Sequence, residues 1–165
     1  MNPNNVKIFI YTEREGVLSP VGHYLKLEVT RFEVDYDGGA VEVSVESDSV
    51  KVAGCIVDGN LGTVSASDTK TIEKNINKDV LKSKKHRHID FRGTIDVNGD
   101  EQVVSGDLDL LGNSHQVEFR LQRDGDKWKG DAVIDQRDYG IKPFTAFLGA
   151  LRIKPEIRIE VIADA

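Results

Sequence analysis

Apolar residues recur at every second position through most of this chain. Leu25, Leu27 and Val29 alternate with Lys26, Glu28 and Thr30, and Val41, Val43 and Val45 alternate with Glu42, Ser44 and Glu46. In VVSGDLDLLGNSHQVEFRL (103–121), Val104, Leu108 and Leu110 share one parity before a glycine joint. Val117, Phe119 and Leu121 share one after it. A period of two puts one set of side chains on each face of a strand. A clean polar face on nearly every strand suits an antiparallel sheet wetted on one side.

The parity flips once inside a strand, from Leu25, Leu27 and Val29 to Phe32, Val34 and Tyr36. Facing is locked to parity, so the flip predicts a bulge or sharp bend near Thr30-Arg31. Turn signals stand at Asp37-Gly38-Gly39, Asn98-Gly99-Asp100, Gly112-Asn113 and Asp124-Gly125-Asp126. Further strands are read at Lys7–Thr12, around Val50–Cys55, through Ile89, Phe91, Ile95 and Val97, through Trp128–Ile134, and at Ile157–Val161. From Asp68 to Ser83 the period lengthens, with Ile72, Ile76 and Val80 four apart. This predicts one amphipathic helix capped by Ser67 or Asp68. Pro143 to Leu151 reads as a short helical turn or packed loop.

The expected fold is therefore all-β and mainly antiparallel, with eight or nine strands and one helix inserted mid-chain. The 165 residues are expected to form a single domain. A sheet this long closes or folds over, because open edges invite unwanted pairing. An eight-stranded barrel either fills with its own side chains or holds one small ligand. Periodicity leaves that choice open.

The bulk composition narrows the function. The net charge of −6 argues against a general nucleic-acid binder, and the aromatics sit mostly on the apolar parity rather than among exposed basic strands. Cys55 is the single cysteine, so no intrachain disulfide can form. No run approaches the ~18 apolar residues of a membrane-spanning helix. The short opening run Ile8–Tyr11 is followed by Glu13, Arg14 and Glu15, which does not read as a signal peptide. A cytoplasmic location is expected.

Catalytic patterns find no support. Ser105, Ser114 and His115 lie near one another in sequence without a G-x-S-x-G elbow. His86 and His88 share a strand face, but Ile89 and Phe91 hold the inward parity, and no third ligand is clustered with the histidines. Neither an enzyme activity, a cofactor nor a metal is expected.

Four segments together carry a family resemblance. Gly106, Asp107, Leu108, Leu110, Gly112, Val117 and Phe119 match the GDLxLxGxxxxVxF pattern of YceI-like proteins. DQRDYGI (Asp135–Ile141) is similar to that family's DRxDFGI element, with Tyr139 in place of Phe. KDVLKSKKHRHIDFRGT (Lys78–Thr94) resembles its helix-to-strand segment, with His88 at the proline position, and GVLSPVGHYLKLEV (Gly16–Val29) resembles its GHdLxL stretch, with Tyr24 in place of Asp. The segments follow the family order and cover most of the chain. The resemblance implies an extended lipocalin-like β-barrel of about eight strands. It also implies an elongated apolar pocket for a polyisoprenoid or similar long-chain lipid. Many relatives carry a secretion signal, and none is read here.

On that expectation the cavity lining is Leu27, Phe32, Val43, Phe91, Ile95, Leu108, Leu110, Phe119 and Trp128, with Phe144, Phe147 and Leu148 as lid or plug. The same residues could simply pack on one another. Gly93, Gly106 and Gly130 fall on inward parity, where they leave space along the wall or mark bends. KSKKHRH (Lys82–His88) is the one dense basic run. Lys84, Lys85 and Arg87 would meet a pyrophosphate or carboxylate head group if the helix ends at the barrel mouth. Otherwise the run is a solvated helix C-terminus. The expected function is non-enzymatic binding of an isoprenoid or fatty-acid-like lipid. The alternative is a ligand-free barrel whose exterior contacts other proteins, for instance as a homodimer.

Overall fold

The structure, a computed structural model, describes residues 2–15, 24–146 and 151–165. The described residues form twelve strands and one α-helix in a single antiparallel sheet. The strands are β1 (Asn2–Glu15), β2 (Tyr24–Val29), β3 (Phe32–Asp37), β4 (Ala40–Glu46), β5 (Val50–Val57) and β6 (Asn60–Gly62). After helix α1 (Ala66–Asn75) come β7 (His88–Asn98), β8 (Glu101–Leu110), β9 (Asn113–Asp124), β10 (Lys127–Asp135), β11 (Thr145–Ala146) and β12 (Leu151–Asp164).

Neighbouring strands follow the order β3-β4-β7-β8-β9-β10-β12-β1-β2-β5-β6, with β11 attached to β12. The two ends of this path belong to one hairpin. β2 runs into β3 through Thr30-Arg31, and β4 runs into β5 through a 3-10 turn at Ser47–Ser49. The lower half of the hairpin pairs with β7, and the upper half pairs with β1. The sheet therefore curls round into a barrel. Counting each bent strand once, and leaving out the short β6 and β11, gives eight long strands. The eleven strands of the path exceed the expected eight or nine because two strands break at bends and one short edge strand is added.

The bend at Thr30-Arg31 stands where the parity flip predicted it. Two buried serines hold both bends together. Ser49 accepts from Thr30 N (3.1 Å) and Thr30 Oγ1 (2.8 Å) at its carbonyl, and its hydroxyl donates to Arg31 O at 3.1 Å. Ser47 N donates to Arg87 O (2.8 Å) and its hydroxyl to His86 O (2.5 Å). Outside, the Arg31 guanidinium bridges Glu46 and Asp48. These bonds satisfy the polar groups that the interrupted ladder leaves behind, as buried backbone requires.

The helix begins earlier than expected. Its cap is Ser65, whose hydroxyl oxygen accepts from Asp68 N at 3.1 Å and donates to the Asp68 carboxylate at 2.7 Å, so both residues join at the helix start. It passes into a π-helical turn at Ile76–Val80, closed by Leu81 N donating to Ile76 O. Within the stretch 143–151, expected as a short helical turn or packed loop, Thr145 and Ala146 pair with Arg152 and Leu151 as a short antiparallel ladder, and 147–150 lie outside the described residues.

The inward glycines do not leave space. Gly93 and Gly106 are cross-strand partners, and a Cβ at Gly106 would stand 2.5 Å from Gly93 Cα and closer still to the Arg92 carbonyl oxygen. At Gly130 the obstruction is the Arg120 carbonyl. These are points of close backbone approach in a tightly curved wall. We expect Gly106→Ala to destabilise the fold by about 1–3 kcal/mol, measured by urea denaturation; an unchanged midpoint would contradict the close approach.

Candidate ligand-binding cavity

One face of each long strand points inward, yet the interior is not full. A cavity of about 550 Å³ remains. Towards one end Val41, Ile95, Val104, Leu121, Trp128 and Ala163 pack into a buried cluster, with Tyr36 and Val6 against them. Its walls come from alternate residues: Ile8 and Ile10 on β1, Leu108 and Leu110 on β8, Val117 and Phe119 on β9, and Ile157, Ile159 and Val161 on β12. Helix α1 and its π-helical extension supply Ile72, Ile76 and Val80, although none of their residues is buried. The helix is pinned by Glu73, which accepts from Val52 N at 3.1 Å and faces Lys51 at 3.5 Å.

Of the residues expected to line the cavity, Leu27, Val43, Phe91, Ile95, Leu108, Leu110, Phe119 and Phe144 stand on its wall. Phe32 packs against the upper core cluster and Trp128 lies in the lower one, both off the wall. Phe147 and Leu148 lie outside the described residues, as does the 16–23 part of the family-like opening stretch. Lys84, Lys85 and Arg87 are exposed and off the wall. The helix does not deliver them to the mouth. Their loop crosses the hairpin bend, where the carbonyls of His86 and Arg87 hold Ser47 and the basic side chains turn to solvent.

Polar wall residues gather at the end away from Trp128. They include Thr12, Arg14, Gln136 and Arg152. Arg14 and Arg152 are also exposed, so the cavity reaches solvent there. The Thr12 hydroxyl is buried and finds no hydrogen-bond partner among the described residues. Sequence reading missed these four. Arg14 and Thr12 continue the parity of Ile8 and Ile10, which was the available signal.

The segment DQRDYGI builds one side of this rim. Asp135 caps a 3-10 turn (Gln136–Tyr139), accepting from Arg137 N at 2.9 Å while its second oxygen meets the Arg137 guanidinium at 2.6 Å. Gly140 has φ 72°, and this left-handed step turns Ile141 onto the wall. Tyr139 is fully buried, its ring edge-on to His115 and its carbonyl held by Asn113 Nδ2. Burial, with a smaller contribution from Asp138, pushes its phenol pKa up.

Among the described residues, no group of three or more His, Cys, Asp or Glu could hold a metal ion, and no helix is long and apolar enough to cross a membrane. An antiparallel sheet curled around an apolar cavity, with a single helix beside it, is an extended lipocalin-like β-barrel. The chain belongs to the family of the YceI-like domain, whose model matches residues 8–165. Solved structures of the same fold include Burkholderia cenocepacia BcnA, with 15% identity, 98% of both chains covered and a TM-score of 0.62. Another is a polyisoprenoid binding domain from Saccharophagus degradans implicated in plant cell wall breakdown, with 12% identity, 98% of both chains covered and a TM-score of 0.60. A Campylobacter jejuni YCEI protein has 14% identity over 90% of this chain and 85% of that one, with a TM-score of 0.56. No curated protein matches the chain.

Asp135 titrates below its ordinary value of 3.8, first through the side-chain bond from Arg137 and then through the Arg137 backbone. A depressed carboxylate stabilises the fold above the unfolded pKa, and that contribution is lost as pH falls through the lower folded value. Asp135→Asn should therefore lower the melting temperature at neutral pH. The gap to wild type should narrow below pH 3.8, which thermal melts across pH would check.

Proposed function

We propose that this chain, as one domain over 1–165, binds the apolar tail of a long-chain lipid, isoprenoid or fatty-acid-like, inside the barrel and does no chemistry on it. The observation that carries this is the apolar cavity of about 550 Å³ left open between walls of Val, Leu, Ile and Phe. That volume lies within the roughly 300–1,000 Å³ typical of small-molecule sites. A self-filled barrel would have no such space, because interiors pack to crystal-like density. A relative of the same fold is described as a polyisoprenoid binding domain.

The energetics select for length. Each buried methylene is worth about 0.8 kcal/mol, so ten give about 8 kcal/mol. Association costs roughly 4–15 kcal/mol. Net affinity therefore favours tails longer than about ten carbons. The tail-binding residues are then Leu27, Val43, Phe91, Ile95, Leu108, Leu110, Phe119 and Phe144, together with Ile8, Ile10 and Ile159.

Native mass spectrometry of freshly purified protein, before and after organic extraction and then with added hexadecan-1-ol, tests the reading. A one-to-one adduct is expected. Val43→Trp and Ile159→Trp fill the cavity from opposite walls, and each should weaken hexadecanol binding by about tenfold or more while the β-sheet circular dichroism is kept. Binding untouched by both plugs, or absent from wild type, would place the function elsewhere.

A further inference from the structure

A dense positive surface lies on the outside of the helical part of the wall. Between Ser65 and His88 stand seven Lys and Arg and three acids, although the chain as a whole carries −6. On the helix and its π-helical turn, Lys70, Lys74 and Lys78 recur every four residues, and Ile72, Ile76 and Val80 each follow two positions later. Two residues turn a helix by about 200°. The lysines therefore stand on the face opposite the Ile and Val side chains that line the cavity. All three are exposed, and so are Lys82, Lys84, Lys85 and Arg87 in the run that follows.

The fold itself makes no use of these cations. Among the described residues, none of the seven side chains forms an ion pair or a hydrogen bond. The acids around them are engaged elsewhere: Asp68 with the Ser65 hydroxyl, Glu73 with Lys51 and Val52 N, and Glu46 and Asp48 with Arg31. Asp79 alone of the segment's acids has no such partner among the described residues. Cations on the strands work in pairs, as Lys129 does with Asp124 and Arg158 with Asp131. The helix dipole favours Lys74 and Lys78, which lie in last turns. Like charges four apart nevertheless weaken a helix. The stripe is a cost to the fold that an anionic surface outside it would offset.

We propose that the outer face of α1 and its π-helical turn, with the run 82–87, is a docking surface for an anionic lipid bilayer. Lysines clustered on or beside an amphipathic helix bind such a surface through their summed field, without fixed bonding geometry. Six of the seven cations are lysines, and the segment from Ser65 to His88 holds no Phe, Tyr or Trp. Protein interfaces are instead enriched in Arg and aromatic residues and depleted of Lys, and single-stranded nucleic acid is held by stacking aromatics. Behind this face lies the apolar cavity, and the helix between them buries no residue of its own. The choice of a lipid surface among polyanions rests on the tail-binding reading: docking lays the helical side of the barrel against a source of lipid.

Flotation with vesicles of phosphatidylcholine alone, and of equal parts phosphatidylcholine and phosphatidylglycerol, tests this at low and high salt. Wild type should bind the mixed vesicles about tenfold or more tightly than the phosphatidylcholine ones, and salt should remove the preference. K74Q/K78Q and K84Q/K85Q should each weaken binding to mixed vesicles by about tenfold or more. K7Q/K142Q removes the same charge from exposed lysines outside the segment and should bind like wild type. Hexadecan-1-ol binding, read by native mass spectrometry, should be unchanged in all three variants, since none of these lysines stands on the cavity wall. It reports an intact barrel and keeps docking separate from tail binding. Equal loss in K7Q/K142Q, or no preference of wild type for the mixed vesicles, overturns the docking surface and leaves the tail-binding reading standing. A DNA duplex or polyglutamate that stays bound at a salt concentration releasing the vesicles overturns the bilayer as the partner. Vesicle docking by a wild type that takes up no hexadecanol supports the surface and overturns the tail-binding reading alone.

Discussion

Side chains change face with every residue along a strand, so a strand that turns a corner must shift parity to keep its apolar residues inside. This barrel depends on doing so twice in one hairpin. On the first strand the inward set passes from Leu25, Leu27 and Val29 to Phe32 and Val34. On the second it passes from Val41, Val43 and Val45 to Val50. The two corners face each other and share hydrogen bonds through Thr30, Arg31, Glu46 and Ser49. One hairpin thereby serves both ends of the sheet. The run 82–88, the dense basic run of the chain, contributes two carbonyls to this corner.

The family-like segments have mechanical roles in this frame. Gly106 meets Gly93 where the backbones of β7 and β8 approach closely, and Leu108 and Leu110, next on the same face, are already wall. DQRDYGI is a capped turn that seats Tyr139 in the core and Ile141 on the wall. Both segments shape the wall of the barrel.

Much of this was legible because period-two alternation reports facing directly. The hairpin turns, the first corner and the strand positions of seven residues that stand on the cavity wall follow from it. The second corner was equally written, as the shift from Val45 to Val50, but polar Ser47–Ser49 between them blurred the strand. Whether the interior is hollow was not legible, since alternation gives direction and not distance. Arg14 and Arg152 escaped for another reason. Charge is ordinarily read as solvent-facing, and their positions matter only once β1 is seen to run on to Glu15 and β12 to begin at Leu151. The glycines misled in the opposite direction, because a missing side chain can mean a neighbour's backbone instead of a void.

The wall is not uniform in how it is held. Most strands are tied into the sheet by ladders on both sides, but the stretch formed by α1 and the π-helical turn touches the sheet through few polar ties, chiefly Glu73 to Val52 N, and buries no residue of its own. Elements with few buried contacts open at low free-energy cost. The barrel thus has one compliant panel in a stiff frame. Its calibre is set by the strands, and the helix is the part of the wall that yields at the lowest cost. On the proposed tail-binding reading, a container built this way would select its contents by length and cross-section and tolerate variety in the shape of the chain that fills it.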